Sequence, residues 1–227
     1  MRVAQEFSKN AKAYQNYNII QQKVAKELVS KAKKAKKIID IGAGSGLVFN
    51  HINWEIEQFI AIDFSSEMLL LHPNSSKIQK KILDFNTKEF LSFLEQSEYE
   101  LAISSSALQW AKDLNAIFST IAKQKRDFAF ALFTANTFKT IHQVAKTTSP
   151  IKSKEEILEA AKVLNAEVAI KNYTLEFESK KAIFEYIKKS GVSGGRNLLS
   201  YKQTKALMQN YPHNFLEFEI IFLWSKQ

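Results

Sequence analysis

A doubly wound α/β sheet, mostly parallel and with helices on both faces, is the fold this sequence predicts, and three observations predict it. The run Ile38-Ile39-Asp40-Ile41 is apolar and β-branched enough to form a parallel strand covered on both sides. It leads straight into Gly42-Ala43-Gly44-Ser45-Gly46, where alternate glycines let the backbone turn tightly and let a ligand approach the main chain. Asp63 then stands about 20 positions after Gly42, closing a second apolar run, Phe59-Ile60-Ala61-Ile62, where an acid can accept hydrogen bonds from a ribose diol. The pairing of glycine turn and distal acid predicts an adenosine-containing cofactor.

The elements follow in order. Residues 7–18 place Phe7, Tyr14 and Tyr17 on one helical face, either a stripe packed on the core or a lid able to close over a site. Residues 19–35 read as an amphipathic helix, with Ile20, Val24, Leu28 and Ala32 every fourth position and a basic knot, Lys33, Lys34, Lys36 and Lys37, behind it. After the first strand come helices at Leu47–Ile52, Ser66–His72 and Thr87–Glu95, with Ser65 and Ser66 supplying capping hydroxyls for the second. A third apolar run ends at Asp84-Phe85. Glu100–Ser106 is a fourth strand ending in three hydroxyl residues, where a ligand in an open α/β sheet would sit, and Ala107-Leu108-Gln109-Trp110 follows as a pocket wall. Asp127–Thr134 is a fifth strand. Beyond Pro150, Lys154–Leu164 reads as helix, Glu167–Glu178 as strand, Ala182–Ser190 as helix, Gly191–Asn197 as loop and Phe215–Trp224 as the last strand of a C-terminal hairpin. One domain, 1–227, accounts for all of this: an N-terminal helical segment 1–36, a cofactor half 37–150 and a substrate half 151–227.

Composition bounds the chemistry. A chain of 227 residues without cysteine forms no disulfide and uses no thiolate, and four scattered histidines do not suggest a zinc site or any other metal. No apolar run reaches the about 18 residues of a membrane span, and the N-terminus lacks a signal-peptide core, so a cytoplasmic protein is expected. The net charge of +9, from 32 basic and 23 acidic residues, fits an acidic partner or a solvated lysine-rich surface.

Details of the turn choose among adenosine cofactors. Dinucleotide sites use GxGxxG against a pyrophosphate, and phosphate loops carry a Lys-Ser/Thr pair; GxGxG preceded by Asp40 has neither. Asp40-Ile41-Gly42-Ala43-Gly44-Ser45-Gly46 resembles the first motif of the class I S-adenosylmethionine-dependent methyltransferases, a Rossmann-like family with a seven-stranded, mostly parallel sheet and an antiparallel last strand. Ile62-Asp63-Phe64-Ser65 resembles their second motif. The resemblance implies that Asp63 binds the ribose hydroxyls, that the glycine turn lies against the methionine portion, and that Asp84 caps the adenine amino group. Cofactor contacts are expected from Asp40, Gly42, Ala43, Gly44, Gly46, Asp63, Phe64, Asp84, Phe85, Ser104 and Ser105, with S-adenosyl-L-homocysteine as product.

A narrower resemblance rests on Phe7, Ala13-Tyr14 and Gln21, on Ser106-Ala107-Leu108-Gln109-Trp110, on Gly191 to Gly195-Arg196, and on the strand Phe218–Leu223. Together they look like the malonyl-acyl carrier protein O-methyltransferases of biotin synthesis. That family implies a malonyl thioester on an acidic carrier protein as substrate, which gives the positive charge a partner; a monomer or weak dimer that uses neither nucleic acid nor membrane is expected. Gln109 and Trp110 then line the substrate pocket. Tyr14 offers a ring and hydroxyl to the reacting groups, and Arg196 could grip the malonyl carboxylate bidentately or be an ordinary surface arginine. Two other readings stay open: methylation of RNA or another small acid, and a non-catalytic cofactor-binding subunit.

Overall fold

The computed structural model describes residues 18–189 and 201–226. A seven-stranded sheet lies at its centre: β1 (Lys37–Ile41), β2 (Gln58–Asp63), β3 (Ile78–Ile82), β4 (Leu101–Ser105), β5 (Asp127–Phe133), β6 (Glu167–Glu176) and β7 (Phe215–Trp224). The spatial order is β3-β2-β1-β4-β5-β7-β6, parallel except for β7, which runs antiparallel to both β5 and β6. The chain steps outward from β1 to β3 and then returns to lay β4 on the other side of β1. Strand order therefore reverses between β1 and β4, and ligands of open α/β sheets bind outside the carboxyl ends of the strands at such a point.

Helices cover both faces. Against one face pack α1 (Ile19–Lys31), α2 (Leu47–His51), α3 (Ser66–Leu71), α6 (Lys139–Ala145), α8 (Lys180–Lys189) and α9 (Tyr201–Asn210). The other face takes α4 (Lys88–Gln96), α5 (Leu114–Gln124) and α7 (Lys154–Ala161), with a 3-10 turn over Lys162–Leu164. Alternation along β1 explains why both faces are apolar: Ile38 joins the first cluster while Ile39 and Ile41 join the second, and all three are fully buried. Each such side chain is worth roughly 1.5–3 kcal/mol of burial. Asp40, on the first face, is the polar exception, and it too is fully buried.

Several expectations are adjusted. The first helix ends at Lys31, not 35, because Ala32 already has extended backbone (ψ 142°) and the chain turns toward β1. Ile20, Val24 and Leu28 are buried as the fourfold spacing requires. The last two strands do pair antiparallel along their whole length, from Glu167 opposite Trp224 to Glu176 opposite Phe215, but no hairpin joins them. The connection carries α8 and α9; Ile183, Tyr186 and Leu207 from them, with Tyr211 just after, complete the first core. The sequence reading also leaves α5, α6 and α9 unassigned. In α5 the buried Leu114, Ile117, Phe118 and Ile121 show helical spacing behind an Asp113 cap, whose carboxylate accepts the Ala116 N–H at 2.9 Å.

The basic knot lies at the amino ends of the strands, opposite the switch point. Lys33 pairs with Asp127 at 2.9 Å, Lys36 with Glu57 at 2.8 Å and Lys37 with Glu98 at 3.0 Å. Among the described residues no helix is long and apolar enough to cross a membrane.

Candidate active site

The carboxyl ends of β1, β2 and β4 build the site. From β1 the chain enters the glycine turn, where Gly42 adopts φ 75°. Its N–H and that of Ala43 both donate to the Ile62 carbonyl at 2.8 Å, which staples the turn to the end of β2. A Cβ on Gly42 would stand 2.3 Å from the Ala107 Cβ, so the turn and the post-β4 segment meet at a distance only glycine allows. Gly46, at φ 88°, packs as closely on the other side, where a Cβ would stand 2.6 Å from Pro73.

Asp63 ends β2 beside this turn. Its Oδ2 accepts the Gly44 N–H at 2.9 Å and its Oδ1 the Ser65 N–H at 2.8 Å. Burial nonetheless raises its pKa to about 6, outweighing the amide hydrogen bonds from Ser65, Gly44 and Phe64, and the charge of Asp84 adds to the rise. Asp40 lies deeper still. Neither of its carboxylate oxygens has a hydrogen-bond partner, and its pKa is pushed well up, first by burial and then by the charge of Asp63. Two desolvated acids thus flank a turn of closely approached main chain, a setting that favours a positively charged ligand.

Asp84 follows β3, with Oδ1 accepting the Asn86 N–H at 2.8 Å; Asn86 in turn accepts the Lys112 N–H at 2.7 Å, tying this loop to the one after β4. Phe64 is half-buried and Phe85 buried.

The end of β4 divides its hydroxyls. Ser104 donates to the Ile41 carbonyl at 2.6 Å and so ties β4 to β1. The hydroxyls of Ser105 and Ser106 are buried without a partner, and so is Oε1 of Gln109. Gln109 instead donates from Nε2 to the Ser106 carbonyl at 2.7 Å. Trp110, in the short 3-10 turn Leu108–Trp110, is half-buried against the second core. Buried polar groups are ordinarily hydrogen-bonded, so the concentration of unpaired oxygens at Asp40, Ser105, Ser106 and Gln109 around the switch point marks a built binding site. The carboxylates, the close-packed glycine turn and the unpaired oxygens together can hold an adenosyl sulfonium with a methionine tail.

The structure thus brings Asp40, the glycines, Ala43, Asp63, Ser104, Ser105 and Ala107 to one place, with Gln109 attached through the Ser106 carbonyl. Tyr14 and Arg196 lie outside the described residues. Ser106 and Ala107 are named in the sequence reading, at the end of the hydroxyl run and just after it, but without a contact role. The hydroxyl run Ser104–Ser106 is their one visible signal.

Comparison with known proteins follows the same boundaries. The family described as "Methyltransferase domain" matches residues 39–133, from β1 through β5. A methyltransferase of Haloferax volcanii, solved in complex with the Trm112 methyltransferase activator, superposes with a TM-score of 0.60 at 14% identity, covering 99% of this chain and 98% of that one. The chain carries a methyltransferase domain in a class I methyltransferase fold. A Haemonchus contortus phosphoethanolamine N-methyltransferase 2 in complex with S-adenosyl-L-methionine shares the methyltransferase fold at a TM-score of 0.56 and 13% identity, over 97% of this chain and 57% of that one. By sequence, this methyltransferase is 27% identical over 200 residues to the malonyl-[acyl-carrier protein] O-methyltransferase of Acetivibrio thermocellus, covering 82% of this chain and 69% of the relative. It is 25% identical over 250 residues to malonyl-[acyl-carrier protein] O-methyltransferase 1 of Ilyobacter polytropus, covering 97% and 89%.

Proposed function

We propose that this methyltransferase uses S-adenosyl-L-methionine to convert the free carboxylate of a malonyl thioester on acyl carrier protein to its methyl ester, an early cytosolic step of biotin synthesis. The observation that carries the reading is that relatives with this activity in their names align over 82% and 97% of the chain, across both the cofactor half and the β6–β7 half. The desolvated Asp40–Asp63 pair supports the cofactor, because a cation relieves the cost of burying two carboxylates whereas a phosphate would add to it.

When bound, S-adenosyl-L-methionine supplies an electrophilic methyl group on a positively charged sulfur. Everything else falls to the chain. Asp63 would hold the ribose hydroxyls with its remaining lone pairs, while Gly44 and Ser65 fix its orientation. Asp84 would cap the adenine amino group, and the buried Asp40 would offer its unpaired oxygens beneath the glycine turn. Ser104 keeps β4 in register with β1 so that Ser105 faces the cofactor side. A malonyl carboxylate is ionised at neutral pH, so the reaction needs alignment rather than proton removal. Alignment of this kind is worth up to about 7–11 kcal/mol. Gln109 and Trp110 wall the acceptor side; Tyr14 and Arg196 are assigned to closure over the acceptor and to its carboxylate, respectively.

Radiolabelled S-adenosylmethionine offered in parallel with malonyl-carrier, a free malonyl thioester and RNA tests the reading. Base-labile label on malonyl-carrier is expected, with weaker transfer to the free thioester. Label on RNA alone, or on none of the three, contradicts it.

A further inference from the structure

The post-β4 segment contains a residue that its surroundings hold in a backbone conformation its own type disfavours. Ser106 has φ 60°, in the left-handed region that side chains other than Gly, Asn and Asp seldom occupy, at a cost of about 1–2 kcal/mol. Both of its backbone groups are held: its N–H donates to the Ala131 carbonyl on β5 at 2.8 Å, and its carbonyl accepts Gln109 Nε2 at 2.7 Å. On one side Ser104 is tied to β1 through the Ile41 carbonyl; on the other Ala107 abuts Gly42. The main chain at Ser106 is pinned from every direction, yet the hydroxyl is buried and has no partner. Strain that persists because its surroundings over-determine it, together with an unsatisfied buried donor, is the pattern of a group held in readiness for a ligand.

Resting on the malonyl reading, we propose that Ser106 seats the acceptor: its hydroxyl donates to one oxygen of the substrate carboxylate and leaves the other oxygen free to attack. Ser105, two positions beyond the Asp40–Ile103 register pair, sits beside the glycine turn and serves the cofactor. Ser106 lies one residue further out, bonded to Ala131 of β5 rather than to β1, and is assigned to the acceptor side. The chemistry favours a hydroxyl here. In the displacement a carboxylate oxygen forms a bond to the methyl carbon as the carbon–sulfur bond breaks, the electron pair returns to sulfur, and no proton changes hands. A neutral donor orients the nucleophile while withdrawing little charge from it, whereas a carboxylate at this position would repel it. The unpaired Oε1 of Gln109 stays on the structural side, because its amide nitrogen is committed to the Ser106 carbonyl. Gln109 is therefore a positioning residue, and Ser106 a catalytic one.

The test uses the full chain and separates cofactor from acceptor. Ser106→Gly removes the hydroxyl and relieves the backbone strain, so it is expected to melt no lower than wild type and to bind S-adenosylhomocysteine with unchanged affinity in calorimetry. Its kcat/KM for malonyl-carrier is expected to fall about 10–100-fold, the range for one hydrogen bond to a charged group. Ser106→Asn tolerates the left-handed backbone and restores a donor, so it should recover most of that loss. Ser105→Ala should do the reverse, weakening S-adenosylhomocysteine binding. Wild-type kcat/KM in Ser106→Gly, or a loss matched by an equal loss of S-adenosylhomocysteine affinity, overturns the assignment. If wild type binds S-adenosylhomocysteine but methylates no malonyl-carrier, the malonyl reading itself fails, and it does so in a measurement that involves no variant.

Discussion

The two ends of one sheet are built on opposite rules. At the amino ends of the strands every lysine of the knot with an ion pair meets a carboxylate within 3.0 Å: Lys33 with Asp127, Lys36 with Glu57, Lys37 with Glu98. At the carboxyl ends, buried oxygens of Asp40, Ser105, Ser106 and Gln109 meet nothing, and Gly42, Gly46 and Ser106 hold left-handed backbone. Satisfied charge at one rim and unsatisfied burial at the other teach where stability and where function are kept. Three lysines of the strongest run of positive charge in the sequence are also neutralised locally, on the rim away from the site. A carrier protein would have to be met by other lysines.

The largest break in this contrast is Gly42→Ala. The new methyl must occupy space 2.3 Å from the Ala107 Cβ while the backbone holds φ 75°. Left-handed strain plus forced repacking should cost about 2–5 kcal/mol, which thermal denaturation would show as a melting point lower by roughly 5–15 °C. Cofactor binding should be lost with it. An unshifted melting curve would mean that the turn and the post-β4 segment are not in contact.

A smaller effect sharpens the contrast through pH. The Asp63 carboxyl titrates near 6 in the fold against 3.8 ordinarily, so the folded state holds a proton that the unfolded chain releases between about pH 4 and 6. Its contribution is therefore absent below about pH 4, and stability falls as pH rises toward and past 6, by roughly 3 kcal/mol in all. His51, His72 and His142, whose pKa values burial lowers, act in the opposite direction because their unfolded forms bind the extra proton. The effect is accordingly read as a difference: the melting point of wild type relative to Asp63→Asn should fall between pH 5 and 7.5. Cofactor affinity of wild type should rise over the same window as the carboxylate ionises.

The smallest effect belongs to the other rim. Replacing Lys33, Lys36 and Lys37 together by alanine removes exposed ion pairs, which contribute little. Melting and kcat/KM for malonyl-carrier are both expected to stay close to wild type; a large rise in KM would place the carrier at the amino rim.

Legibility in the sequence divides along the same line. Gly42 to Gly46 and Asp63 were readable because local requirements, a tight turn and an acid at a strand end, leave residue-type signatures at fixed spacing. The helix α5 went unassigned: Leu114, Ile117, Phe118 and Ile121 carry helical spacing, yet its β-branched content argues weakly for helix without the sheet to pack on. The antiparallel pairing of β6 and β7 was legible, and so was α8 between them, but not α9, since antiparallel strands do not reveal the length of their connection. Ser106 was legible as the end of a hydroxyl run, but its conformation was not. Its positive φ arises from tethers to Ala131 and Gln109, a consequence of tertiary packing that no run of three serines announces.

The central claim is that the acid ending β2 and the glycine turn beside it hold the cofactor, and calorimetric titration of S-adenosylhomocysteine into wild type and Asp63→Ala tests it most directly. Saturable binding by wild type, weakened at least about 10-fold in a variant that still unfolds cooperatively, is the expected result. Equal affinity in the two proteins, or no binding by wild type, would contradict it.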